Sequence, residues 1–419
     1  MTAMHVTSPI AHSAAATTST RGIVEVFAGI GSVARGFCAG GGYQTLLLND
    51  IDPHARGAYV AYAGEHAPYF DRDIRHLRRQ TLSQHLGDQQ VVGLLGCPPC
   101  QGFSDAGQRQ TADPRNRLVT SYFRLIGQLK PRFFVMENVE RLLEYKLFRK
   151  HIEDAGKTYC IWSGVLNAAL YGVPQTRTRA IVIGYHKDLG ITPTMPLPTH
   201  LGQRAVFDYG AQTYVDPCTK EGLLALGLLG DVRVNWSDAL PAYLLQNGPK
   251  LNNLITLEQA IGDLPEACSL EKKQRYAKAG STYATGMRGA SERIHDHQAW
   301  NHRPSTIERL QAIPEGGVLL GDGKRGRSRQ YFSQAYARLH RDGLARTITT
   351  NFHNAGSGRF LHYERVRTLT IREAARIQGI PDTFLFDMPR TVAERLIGNA
   401  FPEPMAGTIA AHVRAQLGH

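Results

Sequence analysis

Two cysteines beside a proline pair are the residues of this chain whose types and spacing most clearly suggest chemistry. Cys97-Pro98-Pro99-Cys100 follows an apolar run at 91–95 that predicts a buried strand. Open α/β sheets place reactive groups at the carboxyl ends of their strands, and the two prolines restrict the backbone that leads to Cys100. We therefore predict that Cys100 is a nucleophilic thiol.

The same Cys-x-x-Cys spacing fits a redox dithiol, half of a zinc site or a buried pair. A structural zinc site needs a second pair or nearby histidines, whereas the remaining cysteines are scattered singly, at Cys38, Cys160, Cys218 and Cys268. A thioredoxin-like dithiol begins a helix in a much smaller domain. We expect no metal site, and the buried pair stays open on this motif alone.

A glycine loop at 27–32, Phe-Ala-Gly-Ile-Gly-Ser, follows the first predicted strand and precedes a predicted helix. Glycines there let backbone N–H groups approach a ligand at the positive end of the helix. The third glycine of the dinucleotide fingerprint is absent in register. A tight turn with only a structural role is the alternative.

Two acidic residues follow the glycine loop at informative positions. Asp50 ends the second predicted strand, about twenty residues on, where an acid commonly binds ribose hydroxyls. Asp73, followed by Ile74, is placed to meet an adenine amine, and no arginine-rich phosphate clamp accompanies them. A ligand with adenosine but no pyrophosphate fits this set, so we predict S-adenosylmethionine as the cofactor. The alternative is that both acids are turn residues.

Glu137 ends another predicted strand, so it should project from the same sheet edge as Cys100. A carboxyl there can hold or donate a proton to a ring nitrogen, although it could also be a first-turn acid of the next helix. Arg177 and Arg179 are two residues apart and share one face of an extended segment. They can reach a polar base edge or the carboxylate, and a solvated strand edge is the alternative.

Alternating strand-like and helix-like segments between residues 21 and 184 must position these groups. This alternation predicts an α/β fold with a doubly wound, mostly parallel sheet. Strands are predicted at 23–27, 45–49, 91–95, 133–136 and 180–183, and helices at 33–39 and 116–128. The alternation stops after 185, and prolines at 191–199 indicate a boundary. Residues 200–365 are irregular, and 370–379 predicts a short helix with a Thr start and a Gly stop.

Bulk properties narrow the class of protein. Hydrophobic residues make up 42% of the chain and no apolar run has transmembrane length. The formal net charge of +12 suggests a polyanionic partner such as nucleic acid. Few, unpatterned cysteines suggest a reducing cytosol. Residues 1–20 lack the features of a signal peptide and are predicted to be a disordered tail. We expect a cytoplasmic monomer that does not contact membranes.

Taken together, these segments resemble the cytosine-C5 DNA methyltransferases of bacterial type. The resemblance covers about 22–185 and 345–419, and its Pro-Cys-Gln, Glu-Asn-Val and Gln-x-Arg-x-Arg motifs in this order are highly specific. The matching segments are, in chain order, 27–32, 49–52, 73–74, 98–101, 137–139, 175–179, 367–382 and 398–400.

The resemblance implies a mechanism and a cofactor site. Cys100 would add to C6 of a flipped-out cytosine in duplex DNA, Glu137 would bind or protonate N3, Arg179 would hold O2 and Arg177 would support it. C5 would take the methyl group of S-adenosylmethionine, and the loop 104–115 would close over the base. The implied cofactor residues are Phe27, Gly29, Ile30, Gly31, Asp50, Ile51, Asp73, Ile74, Pro99, Leu118 and Asn399.

The resemblance also implies two lobes around a DNA cleft. We expect a catalytic domain at 21–187, a smaller, irregular target-recognition domain at 188–387, and a segment at 388–419 that returns to the catalytic domain. A cognate restriction endonuclease acting on the same site is a plausible partner.

Three positions depart from the family pattern: Asp50 stands where Glu is usual, Ser32 replaces a common second glycine, and Ile380 precedes Pro381 where Phe is frequent. None of these changes affects Cys100, Glu137 or Arg179.

Other functions account for less of the sequence. An RNA cytosine methyltransferase sharing this fold is the nearest rival, but such relatives generally have a compact second domain, unlike the long basic insertion after residue 185. A catalytically inactive DNA-binding regulator would not need Cys100, Glu137 and the arginine pair. A nicotinamide oxidoreductase would leave Pro-Pro-Cys-Gln unexplained.

A basic segment at 324–329 generates the first prediction, since four cations lie within six residues before Tyr331 and Phe332: Lys324, Arg325, Arg327 and Arg329. If they contact phosphates, neutralising all four should weaken DNA binding broadly and lower the salt slope by roughly one per lost contact. If one arginine reads guanine, its single variant should relax site choice at one base pair. Unchanged DNA affinity, salt slope and site choice would leave a solvated turn as the remaining interpretation of this segment.

Overall fold

The computed structural model describes residues 21–64, 68–99, 117–229, 239–268, 274–276, 280–319 and 335–418. The predicted tail at 1–20, the nucleophile Cys100, the loop 104–115 and the basic segment 324–329 lie outside the described residues. The described residues include Pro99, directly before the predicted nucleophile Cys100.

A seven-stranded sheet forms the centre of the fold. Its strands are β1 Gly22–Val26, β2 Gln44–Asn49, β3 Tyr69–Phe70, β4 Val91–Gly96, β5 Phe133–Asn138, β6 Tyr159–Asn167 and β8 Thr178–His186, with the short β7 Gln175–Thr176 just outside it. The order is β3-β2-β1-β4-β5-β8-β6. The first five strands in this order pair in parallel with their neighbours, and β8 pairs antiparallel with both β5 and β6. The predicted α/β fold with a mostly parallel sheet is confirmed.

Helices cover both faces of the sheet. Those of the first half are α1 Ser32–Gly41, α2 Pro53–Ala63, α3 Arg79–Leu86, α4 Arg117–Leu129 and α5 Lys146–Ala155. Alternation along each strand sorts the side chains: in β5, Phe133 and Val135 pack on the α1 side, while Phe134 and Met136 pack on the α4 side. Two apolar layers therefore enclose the sheet and hold its carboxyl edge in place.

Several predicted boundaries differ from the observed ones. The first strand ends at Val26 because Phe27 has a left-handed backbone, with φ 57°. The edge strand β6 was not predicted, since Ser163 and Gly164 interrupt its apolar run and much of it is half-exposed. The helix predicted at 370–379 is confirmed at Ile371–Ile377. Its N-cap Thr370 and the N3 residue Glu373 form a reciprocal capping box.

The middle of the chain is irregular. Its helices are α6 Lys220–Ala225, α7 Ala239–Asn247, α8 Leu257–Ile261, α9 Thr282–Arg288, α10 Pro304–Gln311 and α11 Ile371–Ile377. Its strands are β9 His200–Leu201, β10 Val206–Asp208, β11 Thr213–Val215, β12 Asn252–Asn253 and β13 Ala345–Arg346. Strand β13 pairs with β7, and Ile348 and Phe352 share an apolar cluster with Ala55 of α2. The domain boundaries at 187 and 387 stay predictions.

The last two helices, α12 Arg390–Asn399 and α13 Glu403–Gln416, return to the sheet. Helix α13 packs along α1, where a side chain added at Gly40 would collide with the backbone of Gly407. Its apolar residues Met405 and Ile409 join the core that covers this face of the sheet. Among the described helices, none combines the length and apolar character needed to cross a membrane.

The close approach of α1 and α13 predicts a stability effect. Gly40→Ala should force the two helices apart and lower the free energy of unfolding by about 1–3 kcal/mol. Gly57→Ala is the matched control, because a Cβ at this helical glycine meets no atom within 4 Å. The control should raise stability by up to about 1 kcal/mol. Urea unfolding of both variants tests this, and a Gly40→Ala protein as stable as the control contradicts it.

Candidate functional site

The glycine loop adopts the conformation that its glycines allow. Gly29 and Gly31 have φ angles of 52° and 72°, in the left-handed region. A side chain at Gly31 would lie 2.7 Å from the ring of Tyr59, whereas one at Gly29 would meet no atom within 4 Å. The backbone at Gly29 is therefore open to a ligand, while Gly31 is required for packing.

Asp50 holds this loop from the end of β2. Its Oδ2 accepts a hydrogen bond from the Gly29 N–H at 2.8 Å, and its Oδ1 accepts one from the Asp52 N–H at 3.0 Å. Burial raises the pKa of Asp50, and the two N–H groups partly oppose this rise. The structure thus brings the predicted ribose acid and the glycine loop together.

The other predicted cofactor residues differ in their exposure. Ile51 is 65% exposed, while Ile30 and Ile74 are buried. Phe27 and Leu118 pack against the same apolar cluster. Pro99 is half-buried and Asn399 is exposed.

Asp73 already has a partner. Its carboxylate accepts hydrogen bonds from the backbone N–H of Arg75 and from the Arg75 guanidinium, at 2.8–2.9 Å. The side-chain hydrogen bond from Arg75 is the main cause that lowers the pKa of Asp73. Its predicted contact with an adenine amine would use the remaining acceptor capacity of the carboxylate.

The segment that leads to Cys100 is tied to the neighbouring strand. Asn138 Nδ2 donates to the carbonyl of Pro98 at 2.9 Å, which joins the end of β5 to the proline turn. Gly96 pairs with Met136, so one step further along the parallel strands Cys97 lies beside Glu137. Burial, and then the Glu137 carboxylate, raise the pKa of the Cys97 thiol well above its ordinary value. Cys97 therefore stays protonated near neutral pH.

Glu137 forms an ion pair with Arg179 across the sheet. Glu137 Oε1 lies 2.8 Å from Arg179 Nε, and the two side chains are 14% and 15% exposed. Glu137 thus lies between Cys97, directly after β4, and Arg179 on β8. Glu137 also lines a small cavity, together with Val33, Cys97 and Phe401, among others.

Arg177 is more deeply placed than Arg179. It is 3% exposed, and its guanidinium donates to the carbonyls of Ile348 at 3.3 Å and Gly398 at 3.2 Å. The two arginines therefore differ: Arg179 reaches the glutamate, whereas Arg177 links the segment after β13 to the end of α12.

Gln175 makes a second set of contacts between the same regions. Its Nε2 donates to the carbonyl of Ile377 at 3.0 Å and its Oε1 accepts from the Ile348 N–H at 3.1 Å. It also contacts Gln378, which in turn donates to the carbonyl of Ala400. A side chain at Gly398 would lie 2.5 Å from the backbone of Thr349, so glycine is required there.

Two interactions around the glycine loop were not found by sequence reasoning. Glu25, 1% exposed in the middle of β1, accepts a hydrogen bond from the Ala34 N–H at 2.8 Å in the first turn of α1. Arg35 donates to the carbonyl of Ile30 at 2.7 Å and forms an ion pair with Glu403 at 2.9 Å. An acid inside an otherwise apolar strand was the available signal for Glu25; nothing in the sequence indicated Glu403.

Comparison with known proteins yields one family. The family model described as C-5 cytosine-specific DNA methylase matches residues 22–415. The type II methyltransferase M1.HphI of Haemophilus parahaemolyticus is 29% identical, over 92% of this chain and 85% of its own length. M.DdeI of Desulfomicrobium norvegicum is also 29% identical, over 93% of this chain and 88% of its own length.

Solved structures share the fold. A prophage-encoded E. coli protein described as a DNA modification methyltransferase superposes with a TM-score of 0.70 at 22% identity, over 96% of this chain and all of its own. The DNMT2 of Spodoptera frugiperda superposes with a TM-score of 0.55 at 13% identity, over 96% of this chain and all of its own.

The buried carboxyl of Glu25 predicts a pH effect on stability. Burial raises the pKa of Glu25 from 4.5 to about 8, so the folded state binds this proton more tightly than the unfolded state. The resulting contribution is complete below about pH 4.5 and is lost as the pH rises through about 8. Glu25→Gln should therefore gain stability relative to the unmutated protein between pH 5.5 and 9.

Urea unfolding across this pH range measures the difference between the two proteins. Glu153→Gln, which removes an exposed carboxylate on α5, supplies the control. A Glu25→Gln curve that runs parallel to that of the unmutated protein at every pH would show that the proton is not bound as we expect.

Proposed function

Because the chain belongs to the C-5 cytosine-specific DNA methylase family and is a DNA (cytosine-5-)-methyltransferase, we propose that it methylates C5 of a flipped-out cytosine within a specific duplex DNA sequence through a covalent Cys100–C6 intermediate. One observation carries this proposal. Three groups from three neighbouring strands meet at one edge of the sheet. They are Glu137, Arg179 and the proline turn before Cys100, which Asn138 anchors. These are the groups that a nucleophilic attack on a pyrimidine requires.

The residues at the glycine loop fit an adenosine-containing cofactor without pyrophosphate. The backbone at Gly29 is open, the Asp50 carboxylate is fixed beside it, and the exposed Ile51 offers an apolar surface for a base. In this proposal these three residues bind S-adenosylmethionine together with Phe27 and Asn399. The cofactor supplies an electrophilic methyl group.

Cys100 is the nucleophile in this proposal. Its thiolate forms a bond to C6 of the cytosine, which makes C5 electron-rich enough to be methylated. Loss of the C5 proton then re-forms the C5–C6 double bond and releases Cys100 from C6 as a thiolate. The neighbouring Cys97 does not compete for the base, because its thiol stays protonated.

Glu137 and Arg179 act on the ring itself. Glu137 binds N3 and can give it a proton while Cys100 is attached. Arg179 uses Nε for Glu137 and keeps further guanidinium N–H groups for O2. Arg177 is a positioning residue here, since its guanidinium donates to the backbone carbonyls of Ile348 and Gly398.

The target base cannot react within the stacked duplex, so it is flipped into the site. We assign sequence reading to the irregular region of 188–387. Relatives named as type II methyltransferases favour a modification enzyme of a restriction–modification system in a bacterial cytosol, with a cognate endonuclease acting on the same site.

Transfer of labelled methyl groups tests the substrate class. Incubation with labelled S-adenosylmethionine should label duplex DNA and not tRNA, and bisulfite sequencing should place the label at one cytosine of a short motif. Labelling of tRNA in preference to DNA would instead support an RNA methyltransferase.

Trapping of the intermediate tests the mechanism. DNA with 5-fluorocytosine at the target should form a stable adduct with Cys100, because fluorine cannot leave as the C5 proton does. Cys100→Ser should abolish the adduct and keep cofactor binding near normal, and Cys97→Ser should be much milder. A Cys100→Ser protein that still methylates would exclude the covalent route.

A further inference from the structure

An ion pair joins two segments that flank the glycine loop. Asp52 follows β2 and Arg395 lies in the middle of α12, and their Oδ2 and Nη2 atoms are 2.6 Å apart. The Asp52 side chain is 14% exposed and the Arg395 side chain 44%. The other carboxylate oxygen of Asp52 caps α2 by accepting from the His54 N–H at 3.0 Å.

On one side, the pair connects to the predicted ribose acid. The backbone N–H of Asp52 donates to one oxygen of Asp50, and the other oxygen of Asp50 accepts from Gly29. Movement of Asp52 would therefore change the position of the Asp50 carboxylate. Ile51, between the two acids, is the exposed apolar residue at this edge.

On the other side, the pair connects to the end of α12. Arg395 lies one helical turn before Asn399, which is exposed, and before Gly398, whose carbonyl accepts from Arg177. Helix α12 therefore contacts both the segment before β8, through Gly398, and the turn after β2, through Arg395. The ion pair therefore links the turn that contains Asp50 to the helix that carries Asn399.

We propose that Asp52 and Arg395 form a latch that pre-orders the cofactor site, so that they are positioning residues for S-adenosylmethionine. This inference rests on the proposed function, because it concerns the same site. Binding is stronger when the groups that meet a ligand are already held in place. A pair as exposed as this one adds little to folding stability, so its main effect is expected on cofactor affinity.

Substitutions that spare the helix cap separate this role from a structural one. Arg395→Met removes the charge and keeps most of the side-chain volume. Asp52→Asn removes the partner charge, and asparagine remains a good N-cap residue. Arg395→Lys keeps the positive charge. Arg56→Met is the matched control: it breaks the half-exposed Arg56–Asp71 pair, at 3.8 Å, which also involves α2.

Calorimetric titration of each full-length protein with S-adenosylmethionine, without DNA and at low salt, gives the affinities. Arg395→Met and Asp52→Asn should each weaken binding about two- to fivefold. The double variant should bind no more weakly than either single one, since both remove the same interaction. Arg395→Lys should recover most of the affinity, and Arg56→Met should bind as the unmutated protein does.

Kinetics and thermal unfolding complete the test. The latch variants should raise KM for S-adenosylmethionine, leave kcat unchanged at saturating cofactor, and keep the unfolding temperature of the ligand-free protein. Unchanged affinity in Arg395→Met, additive losses in the double variant, or an equal loss in Arg56→Met would each overturn the latch. If the unmutated protein binds no S-adenosylmethionine, the proposed function fails, and the latch with it.

Discussion

The hydrogen bonds of Gln175 and Arg177 hold the rest of the site together. These two buried side chains lie two residues apart on the segment before β8, and they bind the backbone after β13, the end of α11 and the end of α12. Buried polar groups are costly unless they are bonded. The network therefore favours only the arrangement in which all of these segments are in place, and Arg179 then meets Glu137.

Buried ion pairs around α11 also stabilise this network. Arg367 pairs with Glu373 at 2.8 Å and Arg376 with Asp382 at 2.6 Å, and all four side chains are at most 7% exposed. Although burial alone would raise it, the pKa of Glu373 is lowered, chiefly by Arg367. Such pairs add little net stability, but removing one partner is expensive. They hold α11 in one position, from which Ile377 and Gln378 reach Gln175.

Much of the fold could be predicted because strand and helix signals in the first half of the chain are local. Apolar runs, glycines and the Thr370 cap gave the parallel strands and the short helix to within a few residues. The edge strand β6 was missed because its half-exposed sequence lacks that periodicity. Motif order placed Glu137 and Arg179 at one edge, and their ion pair agrees with that placement.

The missed interactions of the site join residues far apart in the chain. No pattern around Arg35 indicates Glu403, and none around Asp52 indicates Arg395, because each pair depends on how α12 and α13 return to the sheet. The different depths of Arg177 and Arg179 likewise depend on what packs over β7. Periodicity describes which face of an element is buried; it does not describe what lies on that face.

The bracing of the glycine loop by the last helix has a consequence for synthesis on the ribosome. Arg35 and Glu403 are 368 residues apart, so at about 5–20 residues per second the brace follows the loop by roughly 20–70 s. During that interval the apolar side of α1, with Val33 and Phe37, has not yet met Met405 and Ile409. A nascent chain therefore exposes this part of α1 to solvent, and the loop reaches its final form only after α13 has been synthesised.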